Sequence, residues 1–492
     1  MKFLVLIFLL FQSFHSYSNF EWNNNCNDAY TRILLLEFDR ANEIIHKEKK
    51  ANPDNKIVYL LENYIDFFKI QIGEEKSDYL KNLEQIDSRI KAISQGDKES
   101  YWLDYCLAEI YIQTAANRLK FGDYFKAAYE INKAYRLLSL NKDKYPKFIP
   151  NNKSFAILET LIGSIPEKYE WVLSLANMNG SINNGIKNLK DIIEELKVNK
   201  RYNYLINESY FYYSFLKMNL QNDTSGLNFL IEEIQDNPLQ ILKFASNRIA
   251  TKLGKNDLAI SILQNRVENT NAYPFNYLDF LLAKGQLNNL DPNAKINFQL
   301  YIDNFKGENY IKSSYMYLSW LAIIEGDTNL FHTYQSKINT NGSTFVGSDK
   351  EAQSQFLNQT IPNVDLLKAR LLYDGGYYHK SLTILEENIF NDNDSDNFLE
   401  STYRKAVNHE KLGNIDSAKL KFILTYKLGK SKSFYFAAKS ALHLGEIYEK
   451  ENNILKSKEY YQKCIDLKNH EYEQSLEQKA KSKLNSIRTS NP

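Results

Sequence analysis

This sequence has little of what usually staples or punctuates a chain: 492 residues include three cysteines, nine prolines, 18 glycines and four tryptophans. Cysteines spread as widely as Cys26, Cys106 and Cys464 exclude a disulfide framework, which needs an even, closely spaced set. An oxidising compartment would permit a Cys26–Cys106 bridge, but the plainer expectation is three small buried side chains. Neither sign of charge dominates, with 61 Lys and Arg against 60 Asp and Glu. A nucleic-acid binder needs a basic surface to displace counterions from phosphates, so nucleic acid is not an expected partner. Past the N-terminus, no segment is long and apolar enough to cross a bilayer. The phosphate-cradling G-x-x-x-x-G-K-[ST] loop, H-E-x-x-H and C-x-x-C are all missing. No cofactor and no metal centre is expected.

What is present begins with Met1-Lys2, an unbroken apolar run Phe3–Phe11, a more polar stretch Gln12–Tyr17, and the small-x-small pair Ser16-x-Ser18. This is the layout of a secretory signal, too short to span a membrane, with cleavage expected between Ser18 and Asn19. No lipid-attachment cysteine stands at that point. Abundant Asn, Lys, Ile and Tyr with little Gly or Pro is typical of AT-rich bacterial genomes, so the expected location is periplasmic or secreted.

A beat of roughly 35 residues runs through the chain. In its clearest unit, Gly122 anchors Ala115 seven residues before it, Tyr124 two after, Ala127 five after and Ile131 nine after. Gly376 repeats this with Ala369, Tyr378, Ser381 and Leu385, and Gly413 with Ala406, Ile415, Ala418 and Phe422. Asn452 does so with Leu444-Gly445, Ile454, Ser457 and Tyr461; Gly326, Asn289, Gly254, Gln221 and Leu36 give weaker units. Packing explains the pattern. Antiparallel helices approach closely where small residues face one another, and bulky residues fill the gap to the next pair.

Leu444-Gly445-x-x-Tyr448 and Gly122-Asp-Tyr124-x-x-Ala127 resemble the tetratricopeptide (TPR) family, over about residues 205–470 with further units near 26–55 and 105–140. The resemblance implies an all-α fold: an α-solenoid of helix-turn-helix repeats in two sub-arrays. The expected layout is a signal at 1–18, a TPR-like region at 19–146, a non-canonical helical insertion at 147–204 and an array at 205–340. A loop with a short helix at 341–365, a C-terminal array at 366–480 and a tail at 481–492 complete it. The insertion carries Gly163-Ser-Ile-Pro166, Trp171, Gly180 and Gly185, which match no known motif.

No catalytic constellation stands out. Asp392-Asn-Asp394-Ser-Asp396-Asn397 starts like a calcium loop but lacks the Gly and the bidentate Glu that such a loop requires. His409 and His443 fall on neighbouring first helices without a further ligand. The first helices of such an array line its inner face, and residues one past the small position, or two to three before it, should point there. Those places hold Tyr212, Arg248, Tyr317, Trp320, Arg370, Tyr403, Arg404 and His443. Tyr, Trp and Arg are the usual anchors of binding surfaces; the Lys and Asn pair of the family's carboxylate clamp is not found. The expected function is an exported, non-catalytic scaffold holding a protein or peptide on its concave face. The alternatives are a SusD-like glycan-binding protein at the outer membrane, and an enzyme with its site in 147–204.

Overall fold

A computed structural model describes residues 19–165, 178–221, 224–267, 269–359, 361–388, 390 and 395–489. The expected signal segment with Ser18, the stretch around Trp171, and Asp392–Asp394 lie outside the described residues. Among the described residues there are 24 α-helices and no strand. The chain forms two compact units. One holds residues up to 253 with 261–279 and 303–308; the other holds 254–260, 280–302 and the chain from 309 onward. The division therefore falls between residues 253 and 309, whereas the segment 341–365 lies inside the second unit.

The first unit contains α1 Asn24–Leu34, α2 Phe38–Ala51, α3 Ile57–Gly73, α4 Lys76–Ser94, α5 Tyr101–Lys120 and α6 Tyr124–Lys144. It continues with α7 Ile149–Gly163, α8 Ile182–Val198, α9 Ile206–Leu220, α10 Leu227–Ile234 and α11 Gln240–Lys252. Helices α12 Asn256–Gln264, α13 Tyr277–Asn288 and α14 Ala294–Asn304 are divided between the units. The second unit then runs through α15 Ile311–Ile324, α16 Thr328–Thr340, α17 Gly347–Leu357, α18 Val364–Asp374 and α19 Tyr378–Glu387. It ends with α20 Ser395–Lys411, α21 Ile415–Gly429, α22 Phe436–Lys450, α23 Ile454–Asp466 and α24 Glu473–Thr489.

One turn geometry recurs at the joints of the helix pairs. Leu36, Gly122, Gly326, Gly376, Gly413 and Asn452 all have left-handed backbone, with φ between 58° and 84°. At each joint the next N–H reaches back five residues to close the first helix. Glu37 donates to Arg32, Asp123 to Arg118, Asp327 to Ala322, Tyr377 to Leu372, Asn414 to His409 and Asn453 to Tyr448, all at 2.8–2.9 Å. This is the Schellman closure, which satisfies carbonyls that a helix end leaves orphaned.

The same closure appears one residue away from the expected Asn289: Leu290 has φ 59°, and Asp291 N–H donates to the Gln286 carbonyl at 2.9 Å. Ala283, fully buried, then stands seven residues before the joint, in the small-residue place that a joint at Asn289 gave to Leu282. Near the expected Gln221, the left-handed residue among the described ones is Gly226, at φ 75°.

The small positions do what close packing requires. Ala369, Ser381, Ala406, Ala418 and Ser457 are all fully buried. Ser381 Oγ donates to the Ala369 carbonyl at 2.7 Å, and Ser457 Oγ to the Gly445 carbonyl at 3.0 Å, an equivalent bond in two repeats. A β-carbon on Gly445 would lie 2.5 Å from the Tyr461 ring. The glycines of 163–185 have a comparable role. A β-carbon on Gly185 would strike Thr160 Oγ1 at 2.2 Å, and one on Gly163 would meet the Ser181 nitrogen at 2.7 Å. Helix α7 therefore packs tightly on α8 and the chain leading into it, which is a structural reason for this glycine set.

Helices α1, α3, α5, α7 and α9 of the first unit converge on a buried polar hub. Lys153 Nζ lies 2.5 Å from Glu208 Oε2 and 3.9 Å from Glu109 Oε1. Tyr30 donates to Glu208 at 2.8 Å, Tyr64 to Glu109 at 3.0 Å, and Ser154 to Glu109 as well. Burial works against the Lys153 charge, but Glu208 and Glu109 outweigh it and raise the ammonium above its ordinary value. The 147–204 segment thus supplies the cation that ties these helices together. In the second unit, buried Asp349 of α17 accepts from the N–H groups of Tyr310 (2.6 Å) and Ser313 (2.8 Å), closing the start of α15.

All three cysteines are free, buried thiols. Burial first, then the Glu48 charge, pushes Cys26 up to about 12, and burial pushes Cys464 up to about 12. Cys26 and Cys106 are not bridged.

Candidate partner-binding face

Three of the eight residues picked out in the sequence meet in the second unit. Tyr317 and Trp320, three residues apart on α15, stand edge to face with centroids 5.2 Å apart. The Arg370 guanidinium, from α18, lies 5.1 Å from the Trp320 ring centre. Trp320 follows Ser319 and Arg370 follows Ala369. The small residue marks where a first helix touches its second, and the next position turns about 100° away toward the first-helix face.

Helix α17 holds this group from one side. Trp320 Nε1 donates to Gln355 Oε1 at 3.1 Å, and Arg370 pairs with Glu351 at 2.6 Å and with Asp374 at 4.0 Å. Burial opposes the Arg370 charge, yet Glu351 and Asp374 hold the guanidinium above its ordinary value. Burial raises the Tyr317 phenol, with the Glu351 charge adding to it, so this ring remains protonated.

Lys284 completes the cluster from α13. Its Nζ lies 4.0 Å from the Tyr317 ring centre and 5.9 Å from that of Trp320. No described carboxylate comes within ion-pair distance of it. Burial pulls the ammonium down to about 8, with Asp374 and Glu351 opposing the shift and Arg370 reinforcing it.

Tyr435 is edge-on to buried Tyr403 at 5.8 Å and to Tyr472 at 5.5 Å. Tyr472 is 58% exposed and sits at φ 59°, an uncommon backbone for a bulky residue. Burial raises the neighbouring Glu471 carboxyl; a Tyr435 backbone N–H and the Arg370 charge oppose this, while Glu351 and Glu400 add to it.

The remaining expected residues are placed differently. Tyr403 is buried against Phe436 (5.1 Å) and Phe422 (6.4 Å), so it fills the core. Arg404 is buried and its Nε donates to Glu400 at 2.6 Å. His443 stacks on Phe422 at 4.9 Å with Nδ1 2.8 Å from Glu410 Oε2. Tyr212 and Arg248 belong to the first unit, both half-buried, with Tyr212 edge-on to Phe211 at 5.5 Å. Among the described residues no three His, Cys, Asp or Glu side chains are grouped to hold a metal ion.

Lys284, Glu351, Gln355, Tyr435 and Tyr472 were missed. Lys284 had a signal: it is one past Ala283, the same place as Trp320 and Arg370, once the joint is taken at Leu290. Glu351 and Gln355 lie on a helix outside the repeat pattern, and Tyr472 lies in a turn, where periodicity gives no information.

Helix pairs with a shared joint define an all-helical protein of repeated helix-turn-helix units. No family model matches the chain, and no curated protein matches it. Among solved structures, yeast Tom70 is 13% identical, with a match covering 94% of this chain and 97% of that one at a TM-score of 0.24. No helix among the described residues is long and apolar enough to cross a membrane.

Proposed function

We propose that this chain is an exported, non-catalytic scaffold of TPR type that holds a protein or peptide partner on the first-helix face of its second unit. The N-terminal Met1–Ser18 pattern supports export to the periplasm or beyond the cell. The observation that carries the partner site is the placement of two half-buried cations, Lys284 and Arg370, against the buried rings of Tyr317 and Trp320. Aromatic rings and arginine dominate binding hot spots. Their fixing by Gln355 and Glu351 lowers the entropy lost when a partner docks. Tyr472, exposed beside this group, offers a further ring at its margin.

The test is photocrosslinking in the periplasm from a reactive residue at position 472, with capture followed by mass spectrometry. Arg370→Gln combined with Lys284→Gln should reduce the captured partner about ten-fold while leaving the helical circular dichroism unchanged. Undiminished capture would refute the site. Trp320→Ala is a poor probe, because this ring is 3% exposed and removing it costs about 3–5 kcal/mol of fold.

A further inference from the structure

The first unit carries a recess of about 500 Å³ that is unrelated to the partner face. Its walls come from residues 22–34, 200–207 and Leu239. The volume falls within the roughly 300–1,000 Å³ of small-molecule pockets. Its chemistry is one-sided. Lys200 and Arg201 line it and no carboxylate does. Arg201 is held in place by neutral groups: its Nη2 donates to Tyr101 Oη at 2.8 Å, and its guanidinium lies 5.2 Å from the Tyr202 ring centre.

The uncharged part of the wall is rich in amides. Asn207 Oδ1 already accepts from Asn237 at 3.0 Å, which leaves the Asn207 N–H groups to donate. Asn203 Nδ2 already donates to the Leu196 carbonyl at 3.1 Å, which leaves the Asn203 oxygen to accept. Asn27 and Thr31 add polar groups along α1. Donors and acceptors side by side match hydroxyl groups, which both donate and accept.

Two aromatic residues form the floor of the recess. Trp22 is stacked between Tyr204 at 4.3 Å and Trp102 at 5.6 Å, so both faces of its indole are covered. Trp22 Nε1 and Tyr204 Oη are buried and have no hydrogen-bond partner among the described residues. Both residues line the recess. Leaving such donors unpaired costs about 1–3 kcal/mol each, and both belong to the aromatic stack that forms the floor of the recess.

We infer that this recess binds a small, hydroxyl-rich anion of the sugar-acid or sugar-phosphate class. Lys200 and Arg201 receive the negative group, and the asparagine amides receive the hydroxyls. Ligands without charge lose the first set of contacts, and simple inorganic anions lose the second.

Isothermal titration of the full chain with glucuronate, glucose 6-phosphate and glucose tests this. Saturable binding of at least one charged sugar is expected, with glucose at least about ten-fold weaker. The tighter of the two charged ligands identifies the negative group as carboxylate or phosphate. Lys200→Gln with Arg201→Gln should weaken the charged sugar about ten-fold without lowering the melting temperature. Asn27→Asp, at an exposed α1 position, should weaken it too by placing a negative charge in the wall. Absence of saturable binding for both charged sugars overturns the inference. So does glucose binding as tightly as they do, or undiminished affinity in both variants.

Discussion

Replacing Lys284 by Met isolates the electrostatics of the partner face. A lysine ordinarily titrating at 10.5 is pulled down to about 8 here, chiefly by burial. The folded chain therefore holds this proton less firmly than the unfolded chain. Between about pH 8 and 10.5 the unfolded state binds more protons, so stability contributed at this site rises with pH. Integrating between those two values gives a gain of about 1.3 kcal/mol from pH 7 to 9 and about 2.5 kcal/mol from pH 7 to 10. Methionine keeps the aliphatic stem and cannot titrate. Lys284→Met should thus be more stable than wild type at pH 7, by about 2 kcal/mol once the lost cation–π contact with Tyr317 offsets part of the gain. The assay is urea unfolding of the full chain at pH 7, 8 and 9, followed by tryptophan emission. All other titrating groups cancel in the difference between the two proteins. That difference should shrink as pH rises; a difference constant to within about 0.5 kcal/mol from pH 7 to 9 would refute the reasoning.

The other stability predictions concern the hub and the joints. Lys153→Met leaves Glu109 and Glu208 buried together without their cation, and should cost about 3–5 kcal/mol, read as an earlier urea midpoint at pH 7. Gly413→Ala meets no atom within 4 Å but keeps φ at 79°, so only the left-handed penalty of about 1–2 kcal/mol applies. Gly445→Ala drives a β-carbon into the Tyr461 ring and should cost about 1–3 kcal/mol; equal melting temperatures for Gly445→Ala and wild type would remove that packing argument.

The all-helical repeat architecture was legible because it rests on a local rule. Gly122, Gly376, Gly413 and Asn452 were recognisable from residue type, and all four carry the left-handed joint. Leu36, a non-glycine anchor, was found from the small residues around it. Leu290 was not, since leucine does not advertise positive φ, and the resulting one-residue error concealed Lys284. The hub was illegible for a different reason. Tyr30 and Glu208 are 178 positions apart yet bonded at 2.8 Å, and no repeat period encodes a contact that long. Tyr317, Trp320, Tyr403 and Arg404 show the limit of the inward rule: position on the helix predicts direction, but all four are buried by the side chains around them. Of Lys284, Tyr317, Trp320 and Arg370, only the two cations remain half-buried.

The lysine-centred knot in the first unit also has a mechanical consequence. The last helix pairs lean mainly on their neighbours, so tension drawn from the C-terminus can peel them away in small steps, beginning with α24. Five helices fastened at one buried point cannot be released one by one, because freeing any of them strands charge in a dry interior. Under an optical trap the chain should give a series of low, closely spaced rips and then a single abrupt one.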